Sequence, residues 1–280
     1  MPRSIATNPI SRLLVTAAVI GISALMVGAY MIPNTYIIRY SMPERATWWI
    51  APSMLASKWG YFERENVEIA ETYWPTGRRA LQSLMDQQSD IAYAAGPPIT
   101  TLAYEKQPLL VLAQTMSSRS IVHLLPNVAH KDDWYRYPIG LARGTISEFY
   151  LIAHLMKLGK LDLYKKGALT LIDRPHVEAN FLTLMQNTTQ SIVLFEPFAS
   201  VVTMAGEENR MFTETTDPAV YKVSCFILTT PAMWKEHRES ILRALAAIRN
   251  SSTQMMADPP QAWKAVRPML AYSEKSEVWG

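Results

Sequence analysis

Past residue 45, short apolar runs and helical spacings succeed one another with brief connections, a rhythm that predicts α/β layers with a largely parallel sheet. Residues 46–51 (ATWWIA) read as a buried strand, and Pro52 and Ser53 open a helix that ends at Trp59 and Gly60. Residues 67–74 alternate as a second strand. Thr76 and Gly77 then open a helix whose apolar positions, Ala80, Leu81, Leu84 and Met85, fall at helical spacing. Residues 90–95 form a third strand broken by Gly96, Pro97 and Pro98, and a helix over 99–104 leads into an apolar run at 109–113. The polar stretch 114–120 (QTMSSRS) reads as a crossing between two lobes.

A second unit follows, with strands at 121–125, 137–142, 168–172 and 191–195 and helices over 177–185 and from Pro197. Residues 206–217 cross back, 221–230 rejoin the first lobe, and helices cover 231–250 and 260–270. No internal repeat and no low-complexity segment is visible.

The stretch 139–149 (IGLARGTISEF) carries the most information. It reads as a short strand, a tight turn at Arg143 and Gly144, and a helix start in which Thr145 and Glu148 fit a capping box. Such a start points its free amides outward, and its dipole favours negative charge, so it suits a small anionic or polar ligand. The alternative is that the cap serves the helix alone.

Residues 13–32 form an uninterrupted uncharged run of 20, long enough to cross a bilayer as a helix. A secretory signal has a shorter apolar core and a small-x-small cleavage site, so an uncleaved signal anchor is expected. Arg3 and Arg12 precede the run, Arg39 and Arg45 follow it, and orientation by positive charge is nearly tied. Net charge is +3, and residues 1–32 hold two of the arginines and no acid. That balance, with no dense basic stripe, excludes a nucleic-acid footprint. The single cysteine, Cys225, rules out an internal disulfide and a cysteine-cluster metal site; its apolar surroundings mark it as a buried small residue. The five histidines are scattered without metal-ligand spacing. No GxSxG, Walker loop or GxGxxG follows a strand, so neither a catalytic site nor a cofactor is expected.

Five stretches, taken in order, resemble the periplasmic substrate-binding proteins of ABC importers, in the branch that handles nitrate, taurine, aliphatic sulfonates and thiamine precursors. They are GYFERENVEI (60–69), LQSLMDQQSDIAYAAGPPI (81–99), PLLVLAQ (108–114), IGLARGTISEFYL (139–151) and IVLFEPFAS (192–200). The likeness covers roughly 46–270. It departs from the family pattern where Asn66 and Gln87 or Gln88 replace glycines, and where Phe195 and Phe198 stand in place of the family's Trp and Tyr. The resemblance implies a type II periplasmic-binding fold: two α/β lobes closing on a ligand cleft, here preceded by one N-terminal transmembrane helix. The corresponding division is a signal anchor at 1–32, a tether at 33–45, one lobe from 46–115 with 220–280, and the other from 116–219. The implied partners are a small-molecule solute and an ABC permease, with the membrane engaged through 13–32 and the binding domain outside a bacterial inner membrane.

If the fold is of this type, ligand contacts come from loops at the C-terminal ends of strands. The candidates are Trp49 and Pro52 from the first loop, Gly77 and Arg78 from the second, and Gly96 and Pro97 from the third. Thr145, Ser147 and Glu196 come from the second lobe. Arg78 suits bidentate pairing with a sulfonate or carboxylate, against the plainer fate of a solvated arginine. Glu196 reads either as a cleft acceptor or as a charge complementing a helix N-terminus. Two other functions stand beside transport: a membrane-tethered sensor or scaffold that uses the same fold, and an enzyme related to thiamine-pyrimidine synthases. The lone apolar cysteine argues against the enzyme.

Overall fold

Ile38, Tyr40 and Met42 fall at two-residue spacing, and each is at most 1% exposed. That two-residue period makes a strand, and Ile37–Pro43 forms β1. In the computed structural model, which describes residues 36–43, 48–118, 122–174, 177–196, 198–200 and 220–270, this strand lies inside a sheet. The expected tether at 33–45 is thereby corrected. Residues 37–43 pair in parallel along their whole length with β2, Glu68–Trp74, and also with β3, Ile91–Ala95. Arg39 fixes the register from the other face, its amide donating to Asp90 Oδ2 at 2.8 Å while its guanidinium grips the same carboxylate. The expected anchor at 13–32 lies outside the described residues, and no described helix is long and apolar enough to cross a membrane.

The larger sheet has the order β2-β1-β3-β9-β4, with β4 at Leu110–Ser118 and β9 at Val223–Thr229. Helices α1 (Ala51–Lys58), α2 (Tyr61–Arg64), α3 (Gly77–Met85) and α4 (Gly96–Tyr104) belong to this half, joined by α8 (Pro231–Ala257) and α9 (Pro259–Val266). The smaller sheet has the order β5-β8-β6-β7, from Val122–Pro126, Ser191–Phe195, Ile139–Leu141 and Leu171–Asp173. Its helices are α5 (Ile146–Lys157), α6 (Leu161–Lys165) and α7 (Val177–Met185).

Three local expectations change. Residues 48–51 are no strand: Trp48–Ile50 makes a 3-10 turn that runs into α1, where Pro52 sits in the first turn with no amide to lose. β1 already occupies the place beside β2. Gly96, Pro97 and Pro98 do not merely break a strand but form the first turn of α4. The stretch expected to cross at 114–120 is in large part strand: residues 114–118 continue β4 and pair with β9 as far as Ser118 opposite Val223, and the next described strand, from Val122, is already in the smaller sheet. The return crossing at 206–217 lies outside the described residues.

An internal repeat is present after all. Ser83 Oγ donates to the Ala80 carbonyl at 2.7 Å and lies 3.0 Å from Ser89 Oγ. One hundred residues on, Thr183 Oγ1 donates to the Asn180 carbonyl at 2.6 Å and lies 3.1 Å from Thr189 Oγ1. The amides of Gln88 and Ser89 close on the Ser83 carbonyl, as those of Thr188 and Thr189 do on Thr183. Both turns reverse through a non-glycine residue in the left-handed region, Gln87 at φ 58° and Asn187 at φ 55°. The strand orders β2-β1-β3-β9 and β7-β6-β8-β5 match element for element. The repeat escapes a reading by residue identity because it is kept in hydroxyl roles and backbone geometry.

Candidate functional site

The parallel strands β1, β2, β3, β6 and β8 end at one place, and a cavity opens there between the two sheets. Its lining includes Pro43, Pro75 and Tyr93 to Ala95 from strand ends of the larger sheet, and Ala142 and Phe195 from the smaller. Its volume, about 50 Å³, is several times the roughly 10–15 Å³ that one water needs, so the space suits a few waters or one small polar head group.

Two helix starts face this space. Thr76 caps α3 by accepting from the Arg79 amide at 3.3 Å, which leaves Gly77 and Arg78 as the first helical residues on the lining. Gly77 allows close contact: a Cβ there would stand 3.3 Å from Ala94 Cα, so a larger residue would push the backbones a few tenths of an ångström apart. Thr145 caps α5, its Oγ1 accepting from the Ser147 amide at 3.2 Å and donating to the Ala142 carbonyl at 2.7 Å. The expected capping box is modified, because Glu148 accepts from the Gly144 amide at 2.6 Å. Its other oxygen receives Arg143 Nε at 3.0 Å and Tyr164 Oη at 2.7 Å. Burial alone would raise this carboxyl, but the bonds from Tyr164, Gly144 and Arg143 outweigh it and hold the pKa below the ordinary 4.5.

Four of the expected residues, Trp49, Gly77, Arg78 and Thr145, converge on the cavity. Five do not line it. Pro52 lies in the first turn of α1. Gly96 and Pro97 lie in the first turn of α4, where Pro98 takes the lining position. Ser147 is 1% exposed, buried beneath the helix start. Glu196 serves structure: Oε1 is 2.9 Å from His123 Nε2, and Oε2 accepts from the Ser200 hydroxyl at 2.7 Å. Phe195, Tyr93 and Pro43 are lining residues that the residue pattern did not single out. The rule that ligands gather at strand C-termini would have found Pro43 had β1 been recognised.

Trp49 and Phe195 meet over the cavity with ring centroids 5.1 Å apart, and Tyr93 Oη donates to the Trp49 carbonyl at 3.1 Å. Arg78 supplies the charge, and among the described residues that line the cavity there is no carboxylate, histidine or cysteine. Among the described residues no cluster of His, Cys, Asp or Glu could hold a metal ion. Cys225 is buried on β9, beside β4, and burial pushes its thiol up to about 12. The arrangement therefore provides a guanidinium, a helix N-terminus from each half, and aromatic and proline surface, and among the described residues it holds no acid–base or nucleophilic pair.

These two sheets, with their helices and cavity, make an α/β periplasmic binding protein fold. No protein-family model and no curated protein matches the chain. Among solved structures, the alkanesulfonate-binding protein SsuA from Xanthomonas axonopodis pv. citri bound to MOPS is similar at TM-score 0.68 and 14% identity, over 87% of this chain and 83% of its own. The periplasmic aliphatic sulphonate binding protein SsuA from Escherichia coli gives 0.66 at 12% identity, over 84% and 79%. A Candida albicans protein described as exhibiting the generic periplasmic binding protein fold gives 0.64 at 14% identity, over 87% and 80%.

Proposed function

We propose that the chain is the substrate-binding component of an ABC import system, with a type II arrangement of two lobes that close on a small anionic or polar organic solute of the nitrate, sulfonate or taurine kind. The observation that carries this reading is the cavity at the strand ends, where Arg78 and the starts of α3 and α5 face Trp49, Tyr93 and Phe195. A guanidinium pairs with a planar or tetrahedral oxyanion through two parallel bonds, and the rings cover an apolar body. The sulfonate-binding relatives of the same fold point the same way, and the solute is to be carried to a permease in a bacterial inner membrane. Thermal unfolding of the purified chain against nitrate, taurine, alkanesulfonates, carboxylates and pyrimidines tests it. A solute at 100 times its Kd adds about 2.7 kcal/mol, which raises Tm by roughly 5–10 °C in a domain of this size. A folded protein whose midpoint no solute moves would overturn the reading.

A membrane-tethered sensor is the second reading. The uncharged run ends at Ile32 and β1 begins at Ile37, so only Pro33 to Tyr36 link them. An uncleaved anchor in that run is the observation behind this reading. Affinity capture from membranes separates the two readings: co-purifying permease and ATPase support import, and a kinase or other signalling complex supports sensing.

A further inference from the structure

We propose that Arg78 and the Arg143–Gly144 turn form a latch between the two halves, with the Trp49–Phe195 ring pair as its second point of contact. Arg78 starts α3 on the larger sheet, and its Nη1 donates to the Arg143 carbonyl at 3.4 Å, on the far side of the cavity. Gly144 accommodates it. A Cβ at that glycine would lie 2.7 Å from Arg78 Nη1 and 3.1 Å from its Cζ, so the guanidinium fills the place where any other side chain would stand. The receiving side of the latch is rigid: Arg143 Nε is tied to Glu148 at 3.0 Å, the Arg143 amide to Asp173 Oδ1 at 3.0 Å, and the Gly144 amide to Glu148 at 2.6 Å. The Glu148 carboxylate also offsets the Arg143 charge, so a second cation can approach the turn. The Arg78 side of the latch is a long, flexible side chain that also lines the cavity.

The same guanidinium thus closes the halves and faces the guest. The 3.4 Å contact is long for a hydrogen bond and single, whereas an oxyanion takes a guanidinium by two short parallel bonds, so an anionic guest draws Arg78 from the carbonyl while the ring pair keeps the cavity covered. The latch deepens the solute-binding reading and rests on it only for what is gated. It sets a threshold: a guest that cannot engage Arg78 competes with a domain already closed, and apparent affinity falls with the fraction of open protein.

Two substitutions separate the parts. Arg78→Ala removes both latch and charge, whereas Gly144→Asn keeps the charge and evicts the guanidinium, in a residue type that tolerates the φ of 70°. Spin labels on Tyr104→Cys and Leu182→Cys, at positions 90% and 53% exposed on opposite halves, report their separation in the full chain in detergent, since Cys225 is buried. Without added solute, the latch predicts a short distance that shifts by more than about 2 Å, the scale of hinge rearrangement, in both variants. Indistinguishable distances in the parent and both variants overturn it. Titration with ethanesulfonate is the second readout, and Gly144→Asn is expected to bind at least as tightly as the parent while Arg78→Ala binds at least tenfold more weakly. If the distances shift and no protein binds ethanesulfonate, the latch stands and the anionic-solute reading falls.

Discussion

At the scale of single residues, Glu148 shows how one carboxylate fixes a functional turn. Its three donors, Gly144, Arg143 and Tyr164, favour the ionised form more than burial opposes it. A folded-state pKa below the ordinary 4.5 contributes stability that is complete above that value and is lost as pH falls through the depressed one. Acid titration of the unfolding midpoint therefore shows a loss below about pH 4.5 that Glu148→Gln does not share. Gln87 offers a second test. Its φ of 58° strains a non-glycine side chain, and the left-handed region costs roughly 1–2 kcal/mol there. Gln87→Gly loses some of that gain to unfolded-chain entropy, so denaturant unfolding should show a net stabilisation of up to about 1 kcal/mol. At this scale the residue pattern revealed chemistry but not partners. Thr145 and Arg78 were legible because a cap and a cation at a helix start have local signatures. Phe195 was not, because an aromatic ring at a strand end looks the same whether it packs inward or meets Trp49.

Among the elements, the repeated helix, turn and strand are the unit of construction. Ser83 joins Ser41, Ser89 and the Ala80 carbonyl in the larger half, and Thr183 joins Thr189 and Asn180 in the smaller. Buried hydroxyls deprived of a partner cost about 1–3 kcal/mol each. Ser83→Ala and Thr183→Val are accordingly expected to destabilise by similar amounts, about 1–2 kcal/mol, measured by urea unfolding. Loss in only one half would show that the two turns do different work. Most helices were legible from their spacing. The segment 46–51 was misread because Trp-Trp-Ile is as apolar as any buried strand. Only the pairing of β1 with β2 reveals that the strand position is already filled. β1 was missed in turn because Arg39 and Ser41 interrupt its apolar run, and their partners Asp90 and Ser83 lie far along the chain.

For the whole molecule, the cavity follows from two similar α/β units, with matching strand orders, whose parallel strands end at one place. Strand termini, helix dipoles and one guanidinium then focus positive potential on a small space walled by Trp49, Tyr93 and Phe195. The alternating pattern made the α/β class legible, whereas the cavity depends on side chains brought together from five strand ends and could be sketched only through likeness to a known fold. The central claim is that this cavity binds a small oxyanion through Arg78. Isothermal titration of the full chain and its Arg78→Ala variant with a series of alkanesulfonates, taurine and nitrate tests it most directly. The account predicts one site per chain, with affinity lowered by about 1.5–3 kcal/mol, ten- to a hundredfold, in the variant. Saturable binding that Arg78→Ala leaves unchanged, or a folded parent that takes up none of these anions, would contradict it.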